Sequence, residues 1–153
     1  MAPRSPARVI MTSDQAPGLE FAFQALVSVS PAIDAGLIDG GRRRIIPITG
    51  GAVEGPRLTG TVIPGGADWQ MVRDDGLIDL TARYTIRADD GTLIGVVNRG
   101  LRRAAGDPAV VYFRTTPVFE APVGPHHWLS RSIFVATARR EPAGVLLRFF
   151  AVL

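Results

Sequence analysis

The chain has 153 residues and a mass of 16.3 kDa, which suits a single domain with its own hydrophobic core. Hydrophobic residues make up 46% and charged residues 20%, so the composition excludes a chain that is disordered throughout. Cysteine is absent, and all 17 basic residues are arginine. Disulfides, thiolate-held metals, Schiff-base lysines and P-loop lysines are therefore excluded.

The charge pattern argues against a nucleic-acid partner. The net charge is only +3 although the pI is about 10.5, because arginine keeps its proton at any ordinary pH. Acidic residues are spread along the chain, and neither a recognition helix nor aromatic residues interleaved with basic ones occur. The densest basic run, residues 42–44, is typical of a solvated face, although one of its arginines can reach over the mouth of a barrel.

No apolar run in the sequence is long enough to span a membrane, and residues 1–17 lack the continuous apolar core of a signal peptide. We therefore expect a cytoplasmic protein with no membrane partner. Residues 1–18 are predicted to form a flexible tail, and residues 19–153 a single β-barrel domain.

A period of two in the apolar residues, interrupted by turn sequences, predicts a chain built from β-strands. The predicted strands, in chain order, are residues 21–29, 44–49, 58–63, 68–73, 77–88, 92–102, 109–119, 129–140 and 145–153. Residues 31–38 contain the one short helix candidate. Asp-Gly steps at residues 75–76 and 90–91 favour tight hairpin turns, so the middle of the chain is predicted to be an antiparallel meander.

About nine or ten strands with short connections fit either a β-sandwich or a closed antiparallel β-barrel. We favour the barrel because nothing marks a second layer of different strands and several strands are apolar on both parities. A barrel of this size can hold one small ligand in its lumen. Strands that are apolar on both faces also lead us to expect a homodimer.

Several short sequence blocks carry a family resemblance. They are RRRIIPITGG (residues 42–51), PGGADW (64–69), ARY (82–84), NRG (98–100), YFRT (112–115) and WL (128–129). Together they resemble the bacterial domain-of-unknown-function family numbered 3237, over residues 20–153. The resemblance implies a calycin-like, that is lipocalin-like, antiparallel barrel, and it supplies no established activity.

Four polar side chains are predicted to share the barrel lumen. Tyr84 and Asn98 fall on the apolar parity of their strands, and Arg114 shares its parity with three apolar residues. Asp68 begins its strand just after a double-glycine turn. A carboxylate, a phenol, an amide and a guanidinium within apolar walls are typical of a small-molecule site.

The chemistry of these side chains suggests their roles. Asp68 and Tyr84 are the predicted catalytic residues: the carboxyl group as general base or acid, and the phenol to polarise a carbonyl or return a proton. Arg114 is predicted to bind a carboxylate or enolate oxygen through its planar fork. The full set of predicted ligand-binding residues is Arg114, Asn98, Trp69, Trp128 and Arg44, with the tryptophans as aromatic walls.

Structural interpretations of the same residues stay open. The Tyr84 hydroxyl can be satisfied at a barrel rim, and Asp68 and Arg114 can form a structural ion pair. Asn98 can occupy a bulge or a turn, and the tryptophans can be core or rim packing. His126 and His127 follow a proline in a loop, and adjacent strand residues point to opposite faces. We therefore expect no metal and no cofactor.

Three hypotheses for function follow from this pattern. The first is a barrel that binds a small, mostly apolar carbonyl, phenolic or carboxylate compound. The second is a cofactor-free isomerase, lyase or cyclase that acts near a carbonyl through Asp68, Tyr84 and Arg114. The third is an oligomerising interaction module without catalysis.

Overall fold

The structure is a computed structural model that describes residues 1–5, 7 and 15–153. Its elements are β1 (Leu19–Val29), β2 (Ile33–Ile38), β3 (Gly41–Glu54), β4 (Gly60–Arg73), β5 (Ile78–Ala88), β6 (Leu93–Ala105), β7 (Asp107–Glu120), a 3-10 helix (His127–Arg131), β8 (Phe134–Glu141) and β9 (Gly144–Val152). Much of the tail predicted over residues 1–18, namely residues 6 and 8–14, lies outside the described residues.

The strands form one antiparallel sheet in the order β1-β9-β8-β7-β6-β5-β4-β3-β2, and an additional β1–β3 pairing closes it. Eight strands therefore make a closed barrel, and β2 adds a ninth strand beside the first half of β3. The prediction of an all-β antiparallel barrel is confirmed. Within the described residues, no helix has the length and apolar character needed to cross a bilayer.

Most of residues 31–38, the helix candidate, forms the strand β2 (Ile33–Ile38) and not a helix. This segment pairs with β3 from Ile33↔Ile45 to Ile38↔Gly41, with a register shift between Asp34 and Gly36. Six residues make too few helical hydrogen bonds to be stable alone. The first half of β3 leaves one edge free for a ladder, and this pairing overrides the local helix tendency.

The predicted strands 58–63 and 68–73 are parts of one strand, β4, which begins at Gly60, and the segment between them is not a turn. Both halves of β4 pair with β5, and the register shifts between Ile63 and Ala67. Pro64 to Gly66 therefore form a bulge that bends the strand around the barrel without reversing the chain. The predicted strand 129–140 also begins later, at Phe134, because His127–Arg131 form the 3-10 helix.

The two ends of the barrel differ. One end, which we call the closed end, is filled by aromatic rings: Phe23 stacks on Phe149 at 4.7 Å, and Phe119 meets Phe134 edge-on at 5.0 Å. Leu129 of the 3-10 helix is 1% exposed against this cluster. The opposite end, at the β4–β5 and β8–β9 hairpins, is the open end, and the lumen behind it holds the cavity described below.

We expect Gly66→Ala to destabilise the protein by about 1–3 kcal/mol, because overpacking forces neighbouring atoms to move. A Cβ at position 66 would lie 2.4 Å from the Arg83 carbonyl oxygen. The matched control is Gly95→Ala, where the nearest atom would be 3.5 Å away, an ordinary contact. Chemical denaturation measures both free energies of unfolding, and equal effects of the two substitutions would contradict this account of the β4 bulge.

Candidate functional site

A cavity occupies the open-end half of the barrel, with about 600 Å³ of atom-free space that includes its opening to solvent. All eight barrel strands contribute side chains to its wall. Most of these are aliphatic, and they include Val27, Ile48, Leu80 and Leu147. Such a wall shields any polar group inside the cavity from bulk water.

Three cavity residues form a row across neighbouring strands. Asp68 of β4 pairs with Ala82 of β5, and Ala82 pairs with Asn98 of β6. Directly paired residues point to the same face of a sheet, so the carboxylate and the amide both face the lumen across a methyl group. Tyr84 follows Ala82 by two residues and therefore faces the lumen as well.

Four buried polar atoms of the cavity wall have no hydrogen-bond partner among the described residues. They are Asp68 Oδ1, Tyr84 Oη, Asn98 Oδ1 and Thr115 Oγ1. Most buried polar atoms in folded proteins are paired, and one left unpaired costs about 1–3 kcal/mol. All four atoms line one cavity, so the hydrogen-bonding groups of this cavity are not fully paired by the described residues.

Asp68 is held by a short chain of hydrogen bonds. Its Oδ2 accepts from Gln70 Nε2 at 2.8 Å, and Gln70 Oε1 accepts in turn from an Arg44 guanidinium nitrogen. Burial raises the pKa of the Asp68 carboxyl, and the Gln70 hydrogen bond and the charges of Arg44 and Arg140 oppose that rise. Asp68 can therefore exchange a proton more readily near neutrality than an exposed aspartate.

Tyr84 is a proton donor in this environment. Its side chain is 5% exposed, and burial raises its pKa above the ordinary value of 10.0. The phenol therefore keeps its proton throughout the physiological range, ready to donate to an acceptor in the cavity.

The structure brings together Asp68, Tyr84 and Asn98 in one cavity wall, although strand parity predicted only the positions of Tyr84 and Asn98. Arg44 stands beside them and reaches the row through Gln70.

The predicted position of Arg114 in the lumen is wrong. Phe113 and Thr115 are buried and line the cavity, so Arg114 between them faces outward, where its Nη1 donates to the Phe113 carbonyl oxygen at 2.9 Å. The prediction followed the apolar parity of Val110 and its neighbours, but those side chains lie on the exposed outer wall.

The two tryptophans do not line the cavity either. Trp69 is 48% exposed on the outer wall, because its neighbours Asp68 and Gln70 point inward. Trp128 lies in the 3-10 helix at the closed end, where it packs against Phe134 and beneath the Arg57 guanidinium, 3.7 Å from the ring centre. The predicted aromatic walls are therefore wrong, and Trp128 is a packing residue.

Sequence reasoning missed Gln70, Thr115 and Arg140, which also line the cavity. Each sits two residues from another inward-facing side chain, so strand alternation was the available signal. The histidines contribute nothing here: His126 bonds Asp90 at 2.8 Å, in the turn between β5 and β6. Among the described residues, no group of three His, Asp or Glu side chains is placed to hold a metal ion.

Comparison with known proteins relates the chain to one protein family and to solved β-barrel structures. The chain matches, over residues 17–152, the family described as "Protein of unknown function (DUF3237)". A UPF0311 protein of Clostridium acetobutylicum is 38% identical over 150 residues, covering 87% of this chain and 95% of the relative. A crystal structure of a beta-barrel like protein from Acinetobacter baumannii is 31% identical, with a TM-score of 0.87, covering 94% of this chain and 100% of that one.

One more distant relative has a named activity. A hydroalkoxylation enzyme of Penicillium herquei is 37% identical over 78 residues, which cover 51% of this chain and 52% of the enzyme. The family match and the bacterial relative extend over far more of the chain than this one does. The chain therefore belongs to this DUF3237 family of proteins of unknown function.

Proposed function

We propose that the protein binds a small, mostly apolar compound carrying a carbonyl, phenolic or carboxylate group in the barrel cavity. The observation that carries this proposal is the set of four unpartnered polar atoms within an aliphatic wall. A ligand that pairs with them supplies hydrogen bonds that no described residue provides, and burial of its apolar body adds to the affinity.

The kinds of polar atoms in the cavity define the complementary ligand. The protonated Tyr84 hydroxyl calls for an acceptor such as a carbonyl oxygen. An ionised Asp68 accepts only, so its free Oδ1 calls for a hydroxyl donor. A compound with a hydroxyl and a carbonyl or phenolic oxygen held on a flat apolar frame satisfies both.

A second candidate function is cofactor-free acid–base catalysis, as in an isomerase, lyase or cyclase, and the relation to a hydroalkoxylation enzyme favours it. Hydroalkoxylation adds the O–H group of an alcohol or phenol across a carbon–carbon double bond and forms an ether. The O–H bond and the π bond break, a C–O bond and a C–H bond form, and no oxidant or reductant is consumed. Asp68 would remove the hydroxyl proton and Tyr84 would deliver a proton to carbon, after which proton exchange with solvent would return both side chains to their starting states.

Ligand-induced thermal stabilisation tests the binding proposal. We expect members of a panel of small phenols, aromatic acids and enones to raise the melting temperature, because ligand that binds only the folded state shifts the equilibrium by mass action. Ala82→Leu fills the cavity and should abolish these shifts. Thr81→Leu, on the outer wall of the same strand, should preserve them; equal shifts in both variants would place the ligand elsewhere.

Tyr84→Phe should raise the free energy of unfolding of the unliganded protein by about 1–3 kcal/mol, because the substitution removes a buried hydroxyl that pairs with none of the described residues. It should also reduce the stabilisation by any ligand that accepts from that hydroxyl. Tyr112→Phe, on the outer wall, is the control and should change neither quantity. A loss of stability in Tyr84→Phe, measured by chemical denaturation, would show instead that the hydroxyl supports the fold.

Asp68→Asn should increase stability by a margin that grows as the pH rises above 3.8, the ordinary pKa of an aspartate. The folded-state pKa of Asp68 is raised above the unfolded value, so the stability of the wild type declines as the pH rises through the folded pKa. Urea denaturation across this range measures the margin. Asp34→Asn is the control with the opposite trend, because a hydrogen bond from the Gly36 N–H lowers the Asp34 pKa.

The same variant separates the two candidate functions. Under acid–base catalysis, Asp68→Asn keeps ligand binding and loses turnover of an alkenyl phenol to its cyclic ether. A retained rate would remove Asp68 from the chemistry while leaving the binding proposal intact.

A further inference from the structure

On three barrel strands, the last inward-facing side chain before the open end is an arginine. On β3 the inward residues Ile48 and Ile46 lead to Arg44, and on β8 Ala138 leads to Arg140. On β6 the buried residues Asn98 and Gly100 lead to Arg102. Since side chains alternate along a strand, all three arginines point to the lumen side of the barrel.

These arginines meet at the cavity mouth. Arg140 lines the cavity, and Arg44 bonds to Gln70, which also lines it. The Arg102 guanidinium lies 5.9 Å from the ring centre of Phe113, another wall residue. Burial lowers the pKa of Arg102, and the positive charges of Arg140 and Arg44 lower it further, so each of these two charges acts on Arg102.

Among the described residues, no carboxylate forms an ion pair with any of these three arginines. Within the part of the chain that the structure describes, every ion pair involves other cations, and none includes Arg44, Arg102 or Arg140. The contrast with Arg139 is direct, because that outward neighbour of Arg140 pairs with Glu141. Among the described residues, Asp68 is the one acidic side chain in the cavity wall, so three cations face a single carboxylate.

We propose that the arginines at the open end, Arg44, Arg102 and Arg140, form an anion site that binds the carboxylate of a small acid whose apolar body enters the cavity. This deepens the proposed binding function and rests on it. A guanidinium offers two parallel N–H donors to a carboxylate, and the buried Arg44 Nε has no partner among the described residues. Arg44 and Arg102 are half-buried, which strengthens the attraction relative to an exposed surface pair, and Arg140 is exposed at the mouth.

The aliphatic wall lies where the apolar body of such an acid would bind. The cavity lies directly behind the arginines, so an acid with its carboxylate at the mouth places its ring or chain against Val27, Leu80 and Leu147. The ligand class is therefore a monocarboxylic acid with a flat apolar body, such as an aromatic or aryl-alkenyl acid.

Matched acid and amide pairs provide the test, because the two members share shape and differ in charge. We would measure dissociation constants by calorimetry for benzoate and benzamide, cinnamate and cinnamamide, and 2-naphthoate and 2-naphthamide. Each acid that fits should bind at least about tenfold more tightly than its amide, as charge-assisted hydrogen bonds are roughly twice as strong as neutral ones. The preference should weaken with added salt.

Arg102→Gln and Arg140→Gln should each reduce this acid-to-amide ratio toward one while leaving amide binding nearly unchanged. Arg114→Gln removes a cation of the same type from the outer wall and should leave the ratio intact. The two mouth variants should also melt at or above the wild-type temperature, because each relieves repulsion between cations, and this shows that they fold.

The outcomes are distinguishable. Equal affinity for acid and amide, or a ratio that survives both mouth substitutions, would overturn the anion site and leave cavity binding in place. An acid preference lost only in Arg114→Gln would move the anion site to the outer wall. Failure of every acid and every amide to bind would count against both the anion site and the proposed binding function.

Discussion

The pairing of β1 with β3 is the contact on which the rest of the structure depends. It joins β1, at one edge of the sheet, to β3, with Val27 opposite Gly51, and converts two sheet faces into an inside and an outside. A side chain at Gly51 would place its Cβ 2.4 Å from the Leu26 carbonyl oxygen, so the closure requires glycine at this crossing. Without it, Asp68 and Asn98 would stand on an open sheet face in water, and no cavity would exist.

The two ends of the barrel carry different kinds of side chain. The closed end excludes water with stacked and edge-on phenylalanines, and burial of such rings is the main favourable contribution to folding. The open end carries unpartnered polar atoms and neighbouring cations, both of which oppose folding in the unliganded state. The apolar half thus supplies burial that offsets the cost of the polar and charged side chains at the open end, where we propose that a ligand binds.

Much of this arrangement could be predicted from the sequence. Turn residues and alternation gave the strands, and the parity of β5 placed Tyr84 inside, because the opposite parity carries charged residues such as Arg83 and Arg87. The same rule failed for Arg114, because β7 is apolar on both parities and counting apolar residues does not tell lumen from outer wall. The shape of β4 was also beyond the sequence, since a bulge and a turn share the same proline and glycines.

Arg140 was missed for a related reason: alternation puts it on the same face as Ala138, but only the pairing of β8 with β9 shows that this face is the lumen. Its position matters for Asp68, whose pKa is set by burial against the charges of Arg44 and Arg140. A carboxylate bound at the open end would offset those charges and exclude water, and both changes favour the protonated form of Asp68. Ligand binding and protonation of Asp68 are then thermodynamically linked. The carboxylate of an acid bound at the mouth would favour the protonated form of Asp68, and Asp68 faces the apolar body of that same acid.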